Sequence, residues 1–364
     1  MNERLAKMQE IGQSVWIDSL SRDDIQNGDL QKLADEGVTG VTSNPTIFQK
    51  AISGSSLYDD QLAKVAKEED DPKEIFFRLA VDDIRDACDI FRPVWEKTDG
   101  LDGYVSLEVS PDLAHDTQGT IDEAQRLFDM VDRPNLLVKI PATEAGLPAI
   151  EEMISRGRSI NVTLIFSLER YRKVTDAYIS GLKKYAESGG DPSGVSSVAS
   201  FFISRVDSEA DDRLEKTGRK DLQGRLAVDN ARLAYADFER IFSGAEWDAL
   251  AEKGANPQRP LWASTSTKNP DYSALKYVEA LIGPNTVNTM PLETVEATMK
   301  EAEVANNIRK DVDDARDLMK RLEEVGVDYD DVSLTLEKEG VQKFADSFEE
   351  LLDGIREKSS QLVG

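Results

Sequence analysis

Short apolar segments, each followed by a stretch of helical periodicity, recur eight times along this chain of 364 residues. They read SVWID (14–18), GVTGVTSN (37–44), YVSLEV (104–109), NLLVKIP (135–141), SINVTLIF (159–166), VASFFIS (198–204), PLWAST (260–265) and TVNTMP (286–291). Strands that alternate with helices predict a parallel sheet, and eight is the number that closes a parallel barrel. The expected fold class is α/β: an (α/β)8 TIM barrel, with residues 1–364 as a single domain. Extra helices are expected between strands two and three and at the C-terminus. A doubly wound open sheet is the competing architecture, but it would carry a glycine-rich phosphate loop after its first strand. VWIDSLSRDD has no such loop, and no GxxxxGK[ST] occurs anywhere.

Helical patterns fill the gaps. PKEIFFRLAVDDIRDACDIF opens on a proline and brings Ile75, Leu79, Ile84, Cys88 and Phe91 near one face. SLERYRKVTDAYISGLKKYAES has Ser167 as its N-cap and breaks at Gly189 and Gly190. YSALKYVEALIG predicts a helix after the seventh strand, and VQKFADSFEELLDGIREKSSQL an amphipathic packing helix. Trp16 and Trp262 read as packing residues.

Charge and composition exclude several functions. Seventy acidic against 44 basic residues give a net charge of −26. Such a polyanion repels nucleic acid and anionic membranes, so neither is an expected partner. The excess fits a saline cytoplasm or a highly soluble surface. The one cysteine, Cys88, allows no intrachain disulfide and no cysteine-based metal site. The one histidine, His115, lies in PDLAHDTQGT, outside any apolar strand, and reads as a loop residue. A single histidine in a loop weakens any mechanism built on a histidine ligand cluster or a Ser-His-Asp arrangement. The first residues lack the apolar core of a signal peptide, and no apolar run approaches a membrane span. A cytoplasmic chain is expected, as a monomer or a homodimer, and its chemistry falls to carboxylates, lysine and hydroxyls.

Those groups gather at strand ends. Residues two apart on a strand share a face. Ser106 thus sits with Glu108, Asn161 with Thr163, and Lys139 projects opposite Leu136, Val138 and Ile140. Asp18 ends the first strand, Asn44 the second, and Ser200 lies in the sixth. In a parallel barrel the C-terminal strand ends line the active site. Singly, a strand-end lysine reads as a rim salt bridge and a strand-end carboxylate as a helix cap. Together they describe a polar pocket in which a lysine can attack a carbonyl and form a Schiff base, an electron sink. Desolvation favours the neutral amine that attacks, and a nearby carboxylate opposes it. Glu108 could carry protons for that step, and Asp18 could take the proton of the hydroxyl beside the bond that breaks. This is class I aldolase chemistry, which needs neither metal nor organic cofactor.

VTSNPTIFQKAI, DGYVSLEVSPDLAHDTQGTIDEA, RPNLLVKIPATEAGLPAIEE, INVTLIFSLERY and SVASFFISRVD, in that order and spacing, resemble the transaldolase family. The likeness is to its longer form, found in bacteria such as actinobacteria and cyanobacteria, and runs from about Val15 to beyond Thr289. The resemblance implies an (α/β)8 barrel in the non-oxidative pentose phosphate branch. It implies transfer of a dihydroxyacetone unit from sedoheptulose 7-phosphate or fructose 6-phosphate to glyceraldehyde 3-phosphate or erythrose 4-phosphate. Lys139 matches the Schiff-base lysine, Glu108 the proton-transfer glutamate, Thr163 the threonine that holds a water with it, and Asp18 the aspartate at the cleaved bond. Asn44, Ser106, Asn161 and Ser200 match positions that hold the substrate, Phe202 an aromatic wall, and Arg205 a phosphate-binding arginine. The shorter form has a second arginine after strand seven, where this chain reads LWASTSTKNP. Lys268, with Ser264 or Ser266, is the expected substitute. Arg205 has a competing reading as an ion pair with Asp207 or Glu209, and Lys268 one as an ordinary loop residue. Two rival functions remain: an aldolase that releases free dihydroxyacetone from the same lysine, and a barrel that binds without turnover.

Overall fold

A computed structural model describes residues 1–363. The strands are β1 (Gln13–Ile17), β2 (Val105–Glu108), β3 (Leu136–Pro141), β4 (Ile160–Ile165), β5 (Ser197–Phe202), β6 (Arg259–Ala263) and β7 (Thr286–Met290). They form one seven-stranded parallel sheet in the order β1-β7-β6-β5-β4-β3-β2, with helices between successive strands. Every residue of every strand is buried, as expected of parallel strands covered on both faces.

Local signals in the sequence account for the flanking helices. Asp71 caps the helix Pro72–Lys97, whose first position is the predicted proline, and Ile75, Leu79, Ile84, Cys88 and Phe91 are all buried on it. The Ser167 side chain accepts from the Arg170 backbone N–H at 3.0 Å and starts the helix Leu168–Glu187. After β6 the expected helix shrinks to Lys276–Ala280, because residues 264–275 run as turns and loop over the strand ends. Three helices, Pro45–Gly54, Asp59–Val65 and Pro72–Lys97, lead into β2, and a 35-residue helix, Tyr329–Val363, ends the described chain. None of the helices among the described residues is long and apolar enough to cross a membrane.

The segment 37–44, expected as the second strand, forms no regular ladder. Val41 makes isolated parallel bridges to Ile17 of β1 and to Val105 of β2. Around it, Ile17 N–H donates to Gly40 O and Thr42 N–H to Ile17 O, while Val41 N–H donates to Tyr104 O and Ser106 N–H to Val41 O, all at 2.9 Å. The run is short because Asn44 already caps the helix Pro45–Gly54. It is also held in place by Trp16, which is fully buried with its indole N–H on Asp102 Oδ1 at 2.8 Å. A Cβ on Gly40 would lie 2.7 Å from that indole ring, so only glycine lets the segment lie flat on it. Gly40→Ala is expected to cost about 1–3 kcal/mol through this overlap. A urea midpoint unchanged from wild type would refute the packing argument.

Candidate active site

Parallel register brings the polar strand-end residues together. Glu108 pairs with Lys139 across β2 and β3, and Lys139 pairs with Asn161 across β3 and β4. Paired residues in adjacent strands point to the same face. Glutamate, lysine and asparagine therefore form one row across three strands. Lys139 Nζ donates to the Ser43 carbonyl at 2.7 Å and to Glu108 Oε2 at 3.3 Å, and both charged side chains are buried. An ammonium in such a setting is tolerated because it is paired and hydrogen-bonded.

Two carboxyls flank the amine. Burial raises the Glu108 carboxyl above the ordinary carboxylate range, the Asp18 charge adds to the rise, and Lys139 opposes it. Burial likewise raises Asp18, against the pull of Lys139, a hydrogen bond from Thr42 and the charge of Arg205. The Thr42 hydroxyl donates to Asp18 Oδ1 at 2.7 Å. Behind the amine a chain of hydrogen bonds crosses the sheet interior. Ser200 Oγ donates to Asn161 Oδ1 at 2.7 Å, and Asn161 Nδ2 donates to Ser106 Oγ at 3.1 Å. Thr163 Oγ1 is buried with no hydrogen-bond partner among the described residues, which fits a hydroxyl that holds water or substrate.

A cavity of about 210 Å³ opens at the C-terminal strand ends. Asp18, Asn44, Lys139, Thr163, Ser200, Phe202, Arg205 and Lys268 all line it. Ser106, Asn161 and Glu108 lie behind this wall, buried. Asn44 also caps its helix, accepting from the Ile47 N–H at 3.0 Å through its side-chain oxygen. A larger cavity, about 510 Å³, lies toward the opposite end beside Gln13, Ser14 and Arg259. Lys97, Asp35 and Asp102 line it, but no buried lysine–carboxylate ion pair like Lys139–Glu108 forms there among the described residues, so chemistry rather than size selects the smaller one.

Arg205 stacks on Phe202, its guanidinium carbon 5.3 Å from the ring centroid. Its Nη1 is buried and unpartnered among the described residues. Asp207 is instead held by the Ala227 N–H, Lys276 and Tyr277, and Glu209 by Arg213. Arg205 therefore makes no ion pair with Asp207 or Glu209 among the described residues. Lys268 is exposed at the rim and donates to Ser266 Oγ at 3.2 Å. His115 is an exposed loop residue. Among the described residues no three His, Cys, Asp or Glu side chains are grouped as metal ligands would be.

Sequence reasoning missed five wall residues: Thr42, Ala263, Thr289, Pro291 and Phe344. Phe344 belongs to the helix Tyr329–Val363, and its ring centroid lies 5.9 Å from Lys139 Nζ. Thr42 and Thr289 looked like ordinary strand residues, and only their position beside Asp18 could have marked them. Phe344 carried no signal beyond an amphipathic pattern.

Comparison with known proteins gives the following. A family model described as Transaldolase/Fructose-6-phosphate aldolase matches residues 15–355. A transaldolase of Acidothermus cellulolyticus is 52% identical over 359 residues, covering 98% of this chain and 96% of the relative. A transaldolase of Frankia alni is 50% identical over 98% of both chains. One of Mycobacterium marinum is 50% identical over 100% of this chain and 99% of its own.

A carboxyl raised by burial holds its proton more tightly in the folded than in the unfolded state. Its ionisation therefore costs stability as pH rises through the raised value, and costs nothing below the ordinary aspartate value of 3.8. Asp18→Asn is expected to raise the melting midpoint near pH 8 by roughly 1–3 °C, with the gain shrinking as pH falls toward about 4. Calorimetry across that range checks it; a gain independent of pH would rule out the charge as its cause.

Proposed function

We propose that Lys139 is the carbonyl-attacking amine of this chain, which belongs to the transaldolase/fructose-6-phosphate aldolase family. The chain is an enzyme that catalyses the transaldolase reaction: it transfers a dihydroxyacetone unit from a ketose phosphate to an aldose phosphate through a lysine Schiff base. The observation that carries the assignment of residues is the buried Lys139 within 3.3 Å of Glu108, in a cavity also lined by Asp18.

In this reading the Lys139 ammonium gives a proton to Glu108, whose raised carboxyl is suited to hold it, and the neutral amine attacks the ketose carbonyl carbon. Glu108, with a water held by Thr163, gives that proton to the alkoxide to form the carbinolamine, then takes a second proton from its nitrogen and passes it to the new hydroxyl, which leaves as water. The resulting iminium accepts electrons from the adjacent carbon–carbon bond. Asp18 takes the proton of the hydroxyl on the departing carbon, that bond breaks, and an aldose phosphate leaves. The three-carbon enamine stays on Lys139 until an acceptor aldehyde arrives, and the steps reverse with Asp18 returning its proton. Ser200 and Asn44 hold the hydroxyls of the three-carbon unit, supported by Asn161 and Ser106, and Phe202 forms the wall. Arg205 takes the phosphate with Lys268, Ser264 and Ser266 around it, because a chain at −26 needs local cations to hold a dianion.

The same reading makes segment 37–44 the eighth stave of a closed (α/β)8 barrel, supported by its hydrogen bonds to both β1 and β2. It takes the chain as one domain, since Phe344 near the C-terminus and Asp18 near the N-terminus line one cavity. It makes the protein cytoplasmic, working as a monomer or a homodimer with neither metal nor organic cofactor.

Incubation with fructose 6-phosphate, borohydride reduction and peptide mass spectrometry test the assignment. A three-carbon adduct on Lys139, lost in Lys139→Ala, is expected; an adduct elsewhere overturns it. The adduct should persist without an acceptor aldehyde, whereas steady release of free dihydroxyacetone would favour the rival aldolase that releases it from the same lysine. Arg205→Ala should raise KM for fructose 6-phosphate roughly ten- to hundredfold and that for free fructose far less. Equal losses would remove Arg205 from the phosphate site.

A further inference from the structure

We propose that Thr289 is a positioning residue for the cleavage step: its hydroxyl ends a switchable chain, Thr289–Thr42–Asp18, that sets how readily Asp18 takes the substrate proton. This deepens the reading above and rests on Asp18 as the base. Thr42 Oγ1 lies 2.7 Å from Asp18 Oδ1 and 2.6 Å from Thr289 Oγ1. Thr42 and Thr289 are both buried. Three separate parts of the chain supply the three groups: the end of β1, segment 37–44 and β7. Backbone bonds fix their separation, with Asp18 N–H donating to Met290 O at 2.8 Å and Thr42 N–H to Ile17 O at 2.9 Å.

The direction of the chain follows from proton counting. A threonine hydroxyl has one proton to give. While Asp18 is ionised, Thr42 spends its proton on the carboxylate, so the contact with Thr289 requires Thr289 to donate. That donation polarises the Thr42 hydroxyl and strengthens its bond to the anion. Once Asp18 holds the substrate proton on Oδ1, the carboxyl can donate to Thr42, and Thr42 turns to donate to Thr289. Both contacts of the chain are thus kept in either state of Asp18, and in the protonated state the Thr289 proton is left to the cavity that this residue lines. The other charged groups about Asp18 are Lys139 from β3, Glu108 from β2, Arg205 just past β5 and Lys268 in the loop after β6. None of them contacts Thr289 by a hydrogen bond or ion pair among the described residues.

Two half-reactions separate this role from a structural one. Single-turnover cleavage of fructose 6-phosphate, followed as glyceraldehyde 3-phosphate released, needs Asp18. Borohydride trapping of dihydroxyacetone on Lys139 does not. Thr289→Val removes the donor, weakens the ionised chain and should move the acid limb of cleavage to higher pH by roughly half a unit. The trapping rate should stay at the wild-type value, and Thr289→Ser should restore the limb. Thr289→Ala must give the same shift, which keeps the test valid should valine disturb folding. An unmoved acid limb in both variants overturns the relay, as does an equal loss in cleavage and trapping. Asp18→Asn is the separate control: wild-type cleavage there would overturn the role of Asp18 itself, whatever position 289 does.

Discussion

The buried contact between Lys139 and Glu108 is the constraint around which the rest is arranged. Taking an ammonium out of water costs several kcal/mol unless its donors are met. Here one donor goes to a carboxylate and another to the Ser43 carbonyl, a backbone oxygen that a regular ladder would have used up. Parallel register fixes the carboxylate, because Glu108 and Lys139 are opposite one another and a one-residue slip would exchange the polar and apolar faces of the strand. The apolar faces of β2 and β3 thereby hold the reacting pair in position.

Segment 37–44 supplies what regular strands cannot. Within three consecutive residues it gives Thr42 to Asp18, the Ser43 carbonyl to Lys139 and Asn44 to the cavity wall. A residue locked in a two-sided ladder has no backbone group to spare. The isolated bridging at Val41 anchors the segment on both sides yet leaves the next residues free to serve the site. Trp16 and Gly40 secure the other end, so irregularity stays where it is useful.

Much of this was legible in the chain because parallel strands have a period of two. Face parity alone aligned Ser106 with Glu108 and Asn161 with Thr163, and register then set Lys139 between those strands. Segment 37–44 was readable as extended but not as irregular, since its β-branched residues suit a strand and the tryptophan beneath Gly40 is distant in sequence. Thr42 and Thr289 were hidden for a related reason: threonine is favoured in strands for its shape, so its hydroxyl carries no signal until a partner lies beside it. Phe344 was hidden because an amphipathic helix announces that it packs, not what it packs upon.

The last constraint is strain, and it sits at the same rim. Leu164 and Ser264 hold left-handed backbone conformations, φ +59° and +58°, which cost non-glycine residues of order 1 kcal/mol or more. Leu164 follows Thr163 directly, where the register between β4 and β5 shifts between Val162 and Ile165. Such a bulge re-aims the side chains beside it. Its leucine is accommodated by the C-terminal helix, where a Cβ on Gly340 would lie only 3.0 Å from Leu164 Cδ2. Ser264 is held by Ser204, which donates its backbone N–H to the Ser264 carbonyl at 3.0 Å and pairs hydroxyls with it at 2.9 Å. One kink follows the buried Thr163 hydroxyl and the other opens the loop that carries Ser266 and Lys268. The long helix that brings Phe344 over Lys139 thus also makes room, through one glycine, for the backbone distortion beside Thr163.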